Sequence, residues 1–196
     1  MSNRQEWFVL LIGGPSGIGK SMVAAQIARR LGVPWLMVDD LRLALERSGV
    51  AIPDSRRVES FDGPGGLVTV GEFMAPSIEV VIENHVDQRI PVVIEGDGIL
   101  PAIFDRPAVR ARATSGRIRA VFLGGSDEDA LYANHQARRV GLFSRAHAHK
   151  NFLYGEWLKK EAERHVLPTV SARPWDTLAE RILAANGLAC DPLPRR

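Results

Sequence analysis

Eight residues near the start of the chain, Gly14-Pro15-Ser16-Gly17-Ile18-Gly19-Lys20-Ser21, satisfy the pattern G-x-x-x-x-G-K-[S/T] at every position. At average residue frequencies the pattern arises by accident on the order of once in a hundred chains of this length. Its surroundings narrow the reading further. The continuous apolar run from Trp7 to Ile12 precedes it, as expected of a strand buried on both faces of a parallel sheet. Ser21 to Leu31 follows, with Val23, Ala24, Ile27, Ala28 and Leu31 at helical spacing and Gly32 as the stop. A strand that passes through a glycine-rich turn into a helix turns successive backbone N–H groups inward and aims a helix N-terminus at the same point. The whole run from Gly14 to Ser21 is therefore expected to hold ATP. Lys20 is expected to reach the β- and γ-phosphates, and the Ser21 hydroxyl to ligate Mg²⁺.

The remaining pattern supports an α/β fold. Apolar runs Trp35–Val38, Val92–Ile94 and Ile118–Leu123, with a short strand near Thr169-Val170, add four strands to the first. Helices are expected over 41–48, 72–88, 150–165 and 175–185, and Ser126 with Asp129 reads as a capping box for one more. The prediction is a three-layer doubly wound parallel sheet with five core strands and a helical or loop lid. At 196 residues it forms one domain, with a loop over 52–66, a mobile lid over 136–149 and a disordered tail from 187.

Composition excludes more than it selects. A formal net charge of +2 makes neither nucleic acid nor an anionic membrane an obligatory partner. The lone Cys190 forms no internal disulfide, residues 1–12 do not read as a signal peptide, and no apolar run approaches bilayer length, so a cytoplasmic location is expected. The partner expected is a small-molecule acceptor, with the chain acting as a monomer or homodimer. His135, His147 and His149 have no carboxylate or cysteine interleaved at ligand spacing, which argues against a histidine metal site.

The chain lacks the N-K-x-D of guanine recognition, a D-x-x-G switch after the third strand, and the L-S-G-G of transporter ATPases. Positive evidence follows the second strand, where Val38-Asp39-Asp40-Leu41-Arg42 puts carboxylates at the carboxyl edge at which such sheets bind ligands. A carboxylate there can take the proton of a substrate hydroxyl or orient it, and Arg42, one turn after Asp39, can clamp an anionic group. Glu95 and Asp97, closing the third strand, are candidates for Mg²⁺ waters or substrate hydroxyls; the alternatives are a structural bond from Glu95 to the phosphate loop and a turn role for Asp97.

Gly13 to Ser21, the Asp-x-x-Arg at 39–42 and the Glu-Gly at 95–96 resemble 2-phosphoglycerate kinase and its relatives. More broadly they resemble the nucleoside-monophosphate-kinase-like group, with shikimate and gluconate kinases, chloramphenicol phosphotransferase, polynucleotide 5′-kinases and zeta toxins. The resemblance implies a kinase that moves the γ-phosphoryl of Mg-ATP to a hydroxyl of a small anionic metabolite, with 2-phosphoglycerate first. It implies Asp39 as base or substrate ligand, with Asp40 the alternate. It also implies lid arginines (Arg138 and Arg145, then Arg139) on the transferred group, and Arg173-Pro174 around adenine. A polynucleotide or toxin-type sugar-nucleotide kinase and a non-catalytic ATP-binding module remain as alternatives. Trp157 and Trp175 are expected in the core.

Overall fold

The computed structural model describes residues 7–53, 65–138 and 144–188. Five strands, β1 (Val9–Gly13), β2 (Trp35–Met37), β3 (Val92–Gly96), β4 (Ile118–Gly124) and β5 (Thr169–Ser171), form one sheet in the order β2-β3-β1-β4-β5. Every neighbouring pair is parallel. The helices are α1 (Lys20–Leu31), α2 (Val38–Arg47), α3 (Gly65–Asp87), α4 (Pro107–Thr114), α5 (Glu128–Arg138), α6 (Arg145–Arg164) and α7 (Leu178–Ala185), with a 3₁₀ turn at Pro101–Asp105.

Alternation along β1 divides the core in two, because successive side chains of a strand leave on opposite faces. Val9 and Leu11 pack with Met74, Ile78 and Ile82 of α3 and with Tyr154 and Leu158 of α6. Leu10 and Ile12 pack with Val23, Ala24 and Ile27 of α1 and with Leu178 and Ile182 of α7. The central strand is thus covered on both sides, which is why its sequence is apolar without interruption.

Register brings the functional ends level. Gly13 pairs with Gly96 and Ile12 with Glu95, and on the far side of β3 Met37 pairs with Glu95. The loop after β1, the Glu95–Asp97 corner and the start of α2 therefore follow one another along the carboxyl edge.

Several boundaries differ from the sequence reading. Val38 leaves β2 and opens α2, so Asp39 and Asp40 lie in the first helical turn, where the helix dipole favours carboxylates. Helix α3 begins at Gly65 instead of Glu72 and runs through Pro76; the Pro/Gly-rich composition that suggested a loop up to 66 masked its first turns, where Leu67, Val68 and Val70 pack against the same core as Met74, Ile78 and Ile82. Residues 54–64 of that expected loop, and 189–196 of the expected tail, lie outside the described residues. An 18-residue stretch of the 23-residue α3 has a mean hydropathy of 1.4, long and apolar enough by length and composition to cross a bilayer, where the sequence reading expected no such run; its stripe Met74, Ile78, Ile82 and Val86 is buried in the core. The 3₁₀ turn and α4 were not foreseen. Helix α5 is capped by Asp127, which accepts the Ala130 N–H at 2.7 Å, in place of the expected Ser126–Asp129 box.

The expected lid over 136–149 is largely helical. Residues 136–138 finish α5, Ser144 caps α6 through a box with His147, and 139–143 lie outside the described residues. The last helix starts at Leu178, leaving Trp175 in the loop before it.

Gly96 gives one close approach that the fold requires. A Cβ there would come within 2.5 Å of the Val38 Cβ, at the first residue of α2. Gly96→Ala is expected to push α2 outward and to cost about 1–3 kcal/mol, the usual range for overpacking. Urea unfolding of the variant beside the wild type measures it.

Candidate active site

The phosphate-loop pattern folds as its context required. Gly14, Gly17 and Gly19 have φ of 148°, 83° and 95°, and the last two occupy the left-handed region that a side chain resists. Space is as limiting as torsion. A Cβ on Gly17 would meet the His135 ring at 2.6 Å, and one on Gly19 would run into the Trp175 indole. The loop is therefore walled by α5 on one side and by the segment after β5 on the other.

Lys20, only 5% exposed, donates to the Pro15 carbonyl at 2.9 Å and forms an ion pair with Asp97. A buried ammonium is stable when its donors are used in this way. Ser21 donates its hydroxyl to Glu95, which is 4% exposed. Burial raises the Glu95 pKa above its ordinary 4.5, while Lys20 and then the Ser21 bond pull it down. The sequence left Glu95 open between a ligand role and a bond to the phosphate loop; its hydrogen bond is to the loop's last residue. Asp97 is not merely a turn residue, since its carboxylate meets Lys20 and its carbonyl accepts the Tyr154 hydroxyl. Burial, then the nearby Asp97 charge, lifts the Tyr154 pKa well above the phenolic value, so that hydroxyl stays a donor.

Asp39 lies beside this group. The cleft walls withhold water from its carboxylate and Asp97 repels its charge, and these raise its pKa above 3.8; Arg42 and Lys20 act in the other direction. Its side chain is nevertheless 68% accessible. The walls surround it without covering it. Arg42 is engaged by Glu46 at 2.7 Å and by Asp39 at 3.6 Å.

Two concavities meet here. One is lined by Ser16, Gly17, Gly19, Lys20, Ser21 and Glu95; the other, of about 530 Å³, by Val38, Arg42, Leu67, Val70 and Met74. Asp39 and Asp97 line both. Asp40 is exposed and lines neither.

The remaining expected residues are more scattered. Arg145 opens α6, pairs with Asp129 and lies over the Tyr132 ring at 4.2 Å, so both partners are on α5. Arg139 and the Arg138 side chain lie outside the described residues. The Arg173–Pro174 peptide is cis, and the Arg173 guanidinium lies 4.7 Å from the Trp175 ring centre. Trp157 and Trp175 pack against the two core clusters, as expected, though each is only half-buried.

Sequence reasoning missed the residues that hold the loop from above. Asn151, 7% exposed on α6, accepts the Ser16 N–H at 3.0 Å, and its amide donates to the His147 carbonyl at 2.9 Å. Asn134 of α5 donates to the Gly17 carbonyl at 3.0 Å. Asparagine is a poor interior helix former. Its place on the buried stripe with Tyr154, Gly155 and Leu158 was the available signal.

The parallel sheet with a glycine-walled phosphate loop, a buried lysine within it and acidic groups along the same edge defines a P-loop kinase fold. Sequence comparison adds that the chain is a distant homologue of 2-phosphoglycerate kinase. It is 23% identical over 206 residues to the enzyme of Methanopyrus kandleri, an alignment covering 94% of this chain and 62% of that protein, so the chain spans less than two thirds of its relative's length. A shorter match, 26% over 108 residues, links 50% of the chain to 31% of the tRNA dimethylallyltransferase of Syntrophobacter fumaroxidans. Among solved structures, a gluconokinase from Sinorhizobium meliloti aligns with a TM-score of 0.53, 21% identity and 94% of each chain. Shikimate kinase from Acinetobacter baumannii in complex with shikimate aligns with a TM-score of 0.54 and 18% identity, over 94% of this chain and 97% of the other. No family model matches the chain.

Glu95 gives a pH test of the site's electrostatics. With a folded pKa above 4.5, the unfolded chain loses this proton first, so wild-type stability falls as pH rises from 4.5 through the folded value and stays lower above it. Glu95→Gln has no such loss. Its stability relative to the wild type is expected to increase between pH 4 and pH 7 in urea titrations; a flat difference would show that burial does not control this carboxyl.

Proposed function

We propose that the chain is an ATP-dependent phosphotransferase acting on a hydroxyl of a small molecule. The observation that carries this reading is the position of Asp39 and Asp97, which line both the phosphate-loop cleft and the larger cavity beside it. A donor phosphate in the first and an acceptor hydroxyl in the second would meet at these carboxylates. The walls of the loop fit an oxyanion: they combine a glycine-rich turn with left-handed residues, a helix N-terminus and a buried ammonium.

Each residue then has a role. The loop from Gly14 to Ser21 and Lys20 hold the triphosphate end and offset charge developing on the transferred group. Ser21, with its hydroxyl oriented by Glu95, would hold Mg²⁺, which when bound would supply further positive charge to offset that of the phosphates. Asp39 takes the acceptor's proton as the new oxygen–phosphorus bond forms and the bond to the departing ADP oxygen breaks. Its raised pKa brings it closer to that task than an ordinary aspartate. Arg173 and Pro174 are the proposed neighbours of the adenine, Arg173 by stacking. Arg145 reaches the transferred group only by leaving Asp129. The name of the distant homologues makes 2-phosphoglycerate the first acceptor to assay.

Lys20→Ala is expected to lower phosphoryl transfer by about 10²–10³-fold, the usual loss for one oxyanion-stabilising donor. Asp39→Asn is expected to lower kcat by about 10²–10⁴-fold with ATP affinity little changed. It should also remove the acid limb of the kcat/KM profile, which in the wild type lies above 3.8 because only ionised Asp39 accepts a proton. Coupled ADP-release kinetics across pH measure both. Loss of ATP affinity with unchanged turnover per bound complex would remove Asp39 from this role.

A further inference from the structure

The cavity next to the phosphate loop has a definite chemical character. One side is hydrocarbon, from Val38 and Pro53 and from Leu67, Val70 and Met74 of α3. The polar lining is acidic: Asp39 and Asp97 at the junction with the cleft, and Glu46 on α2. Glu46 follows Asp39 by seven residues, about 10 Å along a helix rising 1.5 Å per residue. The one guanidinium in the lining, Arg42, lies between these two carboxylates and is bonded to both.

This arrangement works against an anion. Three carboxylates line the cavity against one arginine, and with Lys20 of the adjoining cleft paired to Asp97 the balance is still negative. An anionic acceptor would meet Asp39, Asp97 and Glu46 as like charges, and the one arginine facing it is already shared between two of them. A cation entering the same space finds Glu46 already placed; the exposed Arg42–Glu46 pair that it disturbs contributes little, and Asp39 remains to hold the guanidinium.

We propose that the acceptor is an amino alcohol. Its hydroxyl lies at Asp39 and Asp97, its carbon skeleton along Leu67, Val70 and Met74, and its ammonium at Glu46. The proposal rests on the phosphotransferase reading and replaces the anionic acceptor expected from the sequence. Transfer breaks the hydroxyl O–H bond, with the proton going to Asp39, forms the phosphate ester, and releases ADP from ATP.

The test is ADP release with Mg-ATP and series of amino alcohols, diols and hydroxy acids matched in carbon number, together with 2-phosphoglycerate. The expected result is a kcat/KM for an amino alcohol at least about tenfold above that of its matched hydroxy acid, one charged contact being ample for such a factor. Glu46→Lys should invert that order. Preference of the wild type for hydroxy acids or 2-phosphoglycerate, equal use of all classes, or retention of the amino-alcohol preference in Glu46→Lys would overturn the proposal. Heat on titration with Mg-ATP but no ADP release from any amino alcohol overturns the acceptor class alone. No heat with Mg-ATP overturns the phosphotransferase reading on which it rests. The wild-type series decides the matter even where the variant fails to fold.

Discussion

The ammonium of Lys20 joins two parts of the molecule that are distant in sequence. It bonds back to Pro15 within its own loop and across to Asp97 beyond β3, so one buried cation fixes the loop's curvature and its distance from the neighbouring strand end. The arrangement depends on the parallel register of β1 and β3, which sets Gly13 beside Gly96. A one-residue slip would exchange the two faces of the strand and leave this charge without its partner. Much of the carboxyl edge is organised around that contact: Glu95 reaches Ser21 next to it, Asp39 feels the charge of both partners, and Tyr154 fixes the Asp97 backbone from α6.

The electrostatics of the edge are those of crowded acids held by a few cations. Asp39, Glu95 and Asp97 lie close enough that Asp97 raises the pKa of each of the other two, while Lys20 lowers both. Such a site favours whatever brings positive charge into it. That preference is common to the divalent cation proposed beside Ser21 and to the ammonium proposed near Glu46.

The sheet and the phosphate loop were legible because their signals are local. An unbroken apolar run means a strand covered on both faces, and the spacing of glycines and lysine is readable without knowing any contact. The position of Asp39, Glu95 and Asp97 along the carboxyl edge was also legible, because the ends of parallel strands are a topological position and not a packing detail. What stayed hidden depended on distant partners. Asn151 and Asn134 are single polar residues in helices, and their value comes from meeting the backbone of a loop more than a hundred residues earlier in the chain. Arg42 was readable as a cation near the site, yet its pairing with Glu46 decides what it can hold. Helix α3 was cut short at its start because proline and glycine advertise loops, while a face packed on a sheet outweighs both propensities.

The indole of Trp175 lies against Gly19 on one side and carries the Arg173 guanidinium on its ring. The turn that follows the last strand is thus braced on the first residue ahead of α1, although 156 positions of sequence (175 − 19) separate them. Any methyl group introduced at position 19 would have to displace a bicyclic ring and, with it, the arginine resting there. A lesion in the loop would be inherited by the opposite rim of the cleft, so the two cannot be altered as independent modules.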